Sequence, residues 1–231
     1  MIDETTETQD QPRTTAWDLP LRLFHWALVG AVVTSVVTGK TGDMDIHMLS
    51  GFTILTLVLF RIAWGFAGGR HARFGDFVRG PGTVIGYLRS QAGGGGPNFV
   101  GHNPAGGLSV LAMLAVLALQ TGTGLFANDD ILTEGPLMKF IDKDTSDFVT
   151  WVHYLSSNAL IVLIVLHLSA IALYRFRGEN LVWPMITGMK KISDTGSGSE
   201  KGAKTNPRGN ALIALILFAA AAAAVYYIVN L

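Results

Sequence analysis

His153 and His167 stand fourteen positions apart inside one apolar stretch, Trp151 to Tyr174. On a helix rising about 1.5 Å per residue they are roughly 21 Å apart along the axis. At about 100° per residue, fourteen steps come within roughly 40° of four full turns. Both rings therefore leave one face of the helix at two depths. An ionisable ring inside a bilayer is costly and marks a functional site by default. Neutral imidazole is also a common metal ligand. Two such rings on one face point to two metal centres in line across a membrane.

The elements that must position these rings are readable from hydropathy. The chain has 231 residues, 49% of them hydrophobic and 15% charged. Its mean hydropathy is +0.39. A bilayer core about 30 Å thick needs about 20 apolar residues per crossing. Five stretches meet that need, at 21–39, 47–67, 106–126, 151–174 and 211–231. The first follows an acidic tail and lacks the basic start of a cleaved signal, so it reads as a true span. Strand-type alternation is absent, which argues against a barrel and for an all-α integral membrane bundle.

Charge asymmetry sets the expected orientation. Arg70, Arg73, Arg79 and Arg89 fall between the second and third spans, and Arg175, Arg177, Lys190 and Lys191 follow the fourth. The 127–150 loop instead carries six acids, Asp129, Asp130, Glu134, Asp142, Asp144 and Asp147. The N-terminus is thus expected inside and the C-terminus outside. Residues 1–16 read as a polar tail, 17–191 as a four-helix unit, 192–210 as a Ser/Gly/Lys linker and 211–231 as an added helix. Gly93 to Gly96 read as a flexible connector. There is no cysteine. That excludes covalently attached haem, thiolate iron–sulfur clusters and disulfides from this chain.

Depth sorts four of the six histidines into pairs. His25 and His167 belong to the inner half, and His47 and His153 open their helices at the outer side. Bis-imidazole ligation of a haem iron needs one such pair per haem, from two facing helices. Small residues beside the rings, Gly51, Ser156, Ser157 and Ala170, leave room for a porphyrin edge, although they also favour plain helix packing. Arg22 and Arg61 flank the inner side. Two readings are open for them, haem propionate partners or positive-inside anchors. His71 reads as a solvated or headgroup residue of the basic loop. His102 opens GHNPAGG at the start of the third span. It reads as a cap or interfacial residue, or as a quinone or proton-transfer site. Zinc would need a compact local cluster, and a proton relay would bring intramembrane carboxylates; the sequence offers neither.

Several strings resemble the bacterial cytochrome b561 family, including the cytochrome b subunits of nickel–iron hydrogenases. They are WDLPLRLFHW (17–26), IHMLSGFTILTLVLFRIAWGFAG (46–68), ARFGDFVRGP (72–81), GHNPAGG (101–107), WVHYLSSNALIVLIVLHLSAIALYRF (151–176) and ENLVWPMITGMK (179–190). The resemblance implies a four-helix bundle with two b haems, ligated at His25, His47, His153 and His167. It implies a multi-pass protein of the bacterial inner membrane. It further implies electron exchange between the quinone pool and a redox partner, cytochrome c-like or a hydrogenase or dehydrogenase subunit. Nothing points to nucleic acid. The fifth helix departs from the shorter family members, and both a partner-docking and a plain anchoring role are open. Two rival functions remain at this point, a stand-alone superoxide or quinol oxidoreductase and a haem-bearing anchor of a larger complex. A histidine-based transporter is disfavoured by the carboxylate-poor helices.

Overall fold

The computed structural model describes residues 13–93, 99–191 and 209–231. Residues 1–12 of the tail read at 1–16, the glycines at 94–96 and residues 192–208 of the linker read at 192–210 lie outside the described residues. Eight helices occur among those described: α1 (Leu19–Thr41), α2 (Met44–Ala67), α3 (Phe74–Phe77), α4 (Pro81–Ala92), α5 (Pro104–Gly124), α6 (Lys143–Phe176), α7 (Val182–Thr187) and α8 (Ala211–Val229). Five of them, α1, α2, α5, α6 and α8, are long and apolar enough to cross a membrane.

Each of the five begins on an aspartate or asparagine. The Asp18, Asp43, Asn103, Asp142 and Asn210 side chains accept the N–H of Leu21, Ile46, Gly106, Thr145 and Leu212. Each satisfies a donor that the first turn leaves without an intrahelical partner. Pro20 and Pro104 sit in first turns, where a missing N–H costs nothing. The largest difference from the hydropathy reading is α6, which starts at Lys143 rather than near 151. Its first two turns are polar, so a hydropathy window misses them, but Asp142 caps them through Thr145 N–H at 2.9 Å. The 34 residues of α6 span about 51 Å, more than a bilayer core of about 30 Å.

Helix α1 packs on α2, α2 on α5 and α8, and α5 on α6; α1 and α6 make no comparable contact. Their seam is thus the open side of the four-helix unit. An apolar layer of Ile54, Val58, Leu117 and Leu160, with Leu28, Val32 and Ile164 against it, fills the middle. Long apolar side chains such as Leu23, Val33, Val162 and Leu168 point outward, as a lipid-facing surface requires. The helix α8 lies against α2 through Ala214, Ala221 and Val225, all buried. Small side chains let the two backbones approach closely.

The basic connections gather at one end of the bundle. There a two-stranded ribbon pairs β1 (Arg13–Thr15) antiparallel with β2 (Met189–Lys191). Lys190 bonds Glu179 at 2.6 Å and the Phe99 carbonyl at 2.8 Å. Tyr87 on α4 bonds Tyr174 on α6 at 2.6 Å, and Asn103 donates to Tyr174 at 2.9 Å. These bonds fasten the connection between α2 and α5 to the end of α6. Close approach at Gly65 closes the same end, because a Cβ there would drive into the Phe74 ring. Gly65→Ala is expected to destabilise the protein by about 1–3 kcal/mol through overpacking. Thermal unfolding followed by circular dichroism measures it, and an unchanged midpoint contradicts the packing described.

At the opposite end, the 126–142 connection is rigid rather than merely solvated. One Asp129 carboxylate oxygen accepts from the N–H of Thr133 (2.8 Å), Ile131 (3.0 Å) and Leu132 (2.9 Å). Those bonds hold the carboxyl well below the usual carboxylate range. Asp142 is spent on the α6 cap, and Asp130 and Asp147 both pair with Lys143. Four of the six acids in this loop therefore have partners within the chain.

Candidate functional site

The four paired histidines fall on three long helices, His25 on α1, His47 on α2, and His153 and His167 on α6. His47 and His153 meet at the acidic end. Their ring centroids are 6.2 Å apart and their planes are at 84°. His47 donates from Nδ1 to the Ser35 carbonyl at 2.9 Å, with Ser35 Oγ at 3.4 Å. His153 donates from Nδ1 to the Gln120 carbonyl at 2.9 Å, with Thr123 Oγ1 at 3.3 Å. A carbonyl can only accept, so Nδ1 carries a proton in both rings, which leaves Nε2 as the nitrogen that a neutral ring would offer to a metal. Metal-bound histidines are oriented by such a second hydrogen bond on the other ring nitrogen.

The backbone is shaped to these rings. A Cβ at Gly39 of α1 would lie 2.9 Å from His47 Nδ1, and one at Gly124 of α5 would lie 3.1 Å from His153 Cε1. The Gln120 amide nitrogen sits 2.9 Å from His153 Nε2, while Ser156 donates to the Gln120 amide oxygen. Ser156 is buried. Among the small neighbours noted in the sequence, Gly51 has nothing within 4 Å of a would-be Cβ. Gln120, Ser35, Gly39 and Gly124 were not singled out by sequence. The one signal available was Gln120, a lone amide in an otherwise apolar run.

At the basic end stand His25 of α1 and His167 of α6. The His25 Nδ1 is buried without a partner. Below them lies Arg61, 1% exposed, with both terminal nitrogens unpartnered. Its guanidinium carbon lies 5.1 Å from the Phe74 ring centroid and 5.9 Å from that of Phe77. The nearby Asp18 carboxylate is also buried and accepts from Trp64 Nε1 at 3.3 Å and Gly69 N–H at 3.1 Å. Arg22 reaches away from this pocket and donates to the Ile186 carbonyl of α7.

His102 is held between the Trp17 and Phe77 rings, each centroid 4.5 Å away. The cap of α5 is Asn103, whose Oδ1 accepts from Gly106 N–H at 2.7 Å, and not His102. Nδ1 of His102 is buried without a partner. Burial first, then the charges of Arg61 and His71, push this imidazole down to about 3. A base with a lowered folded value costs stability wherever the unfolded chain binds the extra proton. Its contribution is therefore full above about pH 6.5, the unfolded value, and is lost as pH falls toward 3. His102→Phe is expected to flatten the acid side of the stability curve between those limits. Unfolding midpoints at pH 4.5 and pH 7.5 test it, and an equal drop in both proteins contradicts it.

The arrangement suits a planar metal macrocycle held between two neutral imidazoles. The His47 and His153 rings, 6.2 Å apart with their Nδ1 atoms tied to backbone carbonyls, would hold such a group through Nε2. Arg61 is a buried cation whose terminal nitrogens have no hydrogen-bond partner. Among the described residues no compact cluster of metal-binding side chains competes with this reading.

A membrane-spanning helical bundle with facing histidines is thus a transmembrane metalloprotein of the cytochrome b type. The profile of the prokaryotic cytochrome b561 family matches residues 16–188, most of the chain, and the protein belongs to that family. A similar curated protein is the probable Ni/Fe-hydrogenase B-type cytochrome subunit of Bradyrhizobium diazoefficiens. It is 21% identical over 223 residues, covering 80% of this chain and 88% of that one. The chain is therefore a multi-pass membrane protein of electron transfer that carries b-type haem.

Proposed function

We propose that the chain conducts electrons across the membrane through two b haems, one between His47 and His153 and one between His25 and His167. The observation that carries this reading is the first pair, set 6.2 Å apart with both Nδ1 atoms tied to backbone carbonyls. Bound there, b haem supplies reversible one-electron chemistry at its iron. The residues ligate, orient and bury it. Ser35 and Gln120 fix the ring tautomers. The Gln120 amide must turn away from His153 Nε2 for that nitrogen to ligate. Ile54, Val58, Leu117 and Leu160 form a dry layer between the pairs. Arg61 is the proposed propionate partner at the basic end, because its terminal nitrogens are free while Arg22 is engaged with Ile186.

The proposed partners are a quinone or quinol and a redox protein. The relative's description as a hydrogenase subunit supports a partner of hydrogenase or dehydrogenase type. A basic cytochrome c-like partner finds less support, since four acids of the 127–150 loop are occupied within the chain. His102, half-buried between Trp17 and Phe77, is proposed as a quinone or proton-transfer residue. The excess of Lys and Arg in the connections at the His25 end supports placing that end, and the N-terminus, in the bacterial cytoplasm. The haem-carrying unit is proposed to run from 17 to 191, with 211–231 an added helix.

Proteoliposomes test the function directly. Quinol supplied with the purified chain, and an enclosed membrane-impermeant oxidant, should give transmembrane electron flow that any of the four His→Ala changes abolishes. Flow that survives those changes contradicts the proposal. Superoxide or quinol oxidation by the detergent-solubilised chain, with no transmembrane flow, would favour the stand-alone oxidoreductase instead.

A further inference from the structure

A cleft of about 950 Å³ opens between α1, α2 and α8, away from the histidine seam. Its walls are apolar, with Leu23, Phe60, Leu215 and Phe218 prominent. On α8 it runs from Ala211 to Ala222, about 16 Å of helix and roughly half of a bilayer core. It therefore spans one leaflet. The end nearest the ribbon is polar, lined by Thr15, Arg22 and Thr187. Arg22 gives one terminal nitrogen to the Ile186 carbonyl and packs its Nε against Gly188, and among the described residues no carboxylate pairs with it. The cleft is thus an apolar slot one leaflet deep with a guanidinium, free of a carboxylate partner, at its membrane-surface end.

We infer that this cleft holds one anionic phospholipid of the leaflet at the basic end, its phosphate on Arg22 and an acyl chain against Phe60 and Phe218. Three observations favour that occupant over a quinone. A guanidinium is a permanent cation whose fork matches phosphate, whereas a quinone carbonyl is neutral. None of the four paired histidines lines the cleft, so a quinone here would stand away from the haem ligands. The one acid in the lining, Asp18, has its oxygens committed to Leu21, Trp64 and Gly69 and none free for a quinone. Its negative charge is the one feature that opposes a phosphate. The lipid would act as packing between α8 and the faces of α1 and α2 that line the cleft. The inference does not depend on the haem assignment.

The test uses the full chain, purified in mild detergent and washed through exchange into nanodiscs of phosphatidylcholine. Native mass spectrometry then counts retained phospholipid, with phosphatidylglycerol as the added probe. One retained anionic phospholipid per chain is expected. Arg22→Gln, which removes the charge, and Leu215→Trp, which fills the slot from an exposed position, should each lower retention at least tenfold. Size-exclusion profile and helix content establish that both variants fold. Retention equal in wild type and both folded variants overturns the proposal, as does wild type that keeps no lipid. A quinone displaced by Leu215→Trp, or haem lost on Arg22→Gln, overturns it too.

Discussion

Replacing His47 with alanine is expected to take one b haem from each chain and leave the other, and His153→Ala to take the same one. His25→Ala and His167→Ala should remove the remaining haem instead. The expectation rests on the pairing of rings rather than on their number. His47 and His153 lie 6.2 Å apart, and each is anchored through Nδ1 to a neighbouring helix. Removing either ring leaves a single axial ligand, while the apolar layer of Ile54, Val58, Leu117 and Leu160 still separates the other pair. The Nδ1 anchors are single hydrogen bonds worth about 1 kcal/mol each, so the helices should survive their loss. Difference spectra with a haem count per chain read the result. Loss of different haems from the two variants contradicts the pairing. A milder variant guards against collapse. Gly39→Ala presses a methyl against His47 Nδ1, removes no ligand, and should weaken only the haem that His47 holds.

Arg61→Met is expected to act in opposite directions on the haem-free and haem-bound protein. In the chain alone, Arg61 is 1% exposed and its terminal nitrogens have no partner. A buried cation without a hydrogen-bond partner is costly, the nearby Asp18 carboxylate and the Phe74 and Phe77 faces offset part of that cost, and methionine of similar length should stabilise the haem-free fold by on the order of 1 kcal/mol. With haem bound, the same change removes the proposed partner of a propionate. Hydrogen bonds to charged groups are worth about 1.5–3 kcal/mol, which is roughly a tenfold to hundredfold loss of haem affinity. Arg61→Lys keeps the charge but not the fork, and should fall between the two. Thermal melts of the haem-free protein and haem transfer to an external acceptor protein measure the two arms. A variant less stable without haem, or equally tight with it, removes Arg61 from the propionate role.

Hydropathy located the five long helices, because twenty apolar residues in a row have few other uses. The fourfold histidine set was legible because rings on apolar faces are rare and their depths could be counted. Helix ends were less legible from hydropathy alone. All five long helices start on Asp or Asn, and reading those caps would have placed α6 at Lys143 rather than near 151. The second-layer groups were not legible. Ser35, Gln120, Gly39 and Gly124 act on rings of other helices, and no local pattern announces which helix face will meet which ring. Arg61 illustrates the same limit. Its sequence neighbourhood allows an interfacial anchor, and only packing shows it sealed beneath Phe74 and Phe77. The partners of the acids in the 127–150 loop were not legible either: Asp129 and Asp142 hold backbone turns, and Asp130 and Asp147 share Lys143.

The measurement that bears most directly on the account is the haem count of the purified full chain, taken with its reduced-minus-oxidised visible spectrum. Two b haems per chain, with both signals of bis-imidazole low-spin type, are predicted. One haem per chain would contradict the two-pair arrangement, and none would contradict the account as a whole.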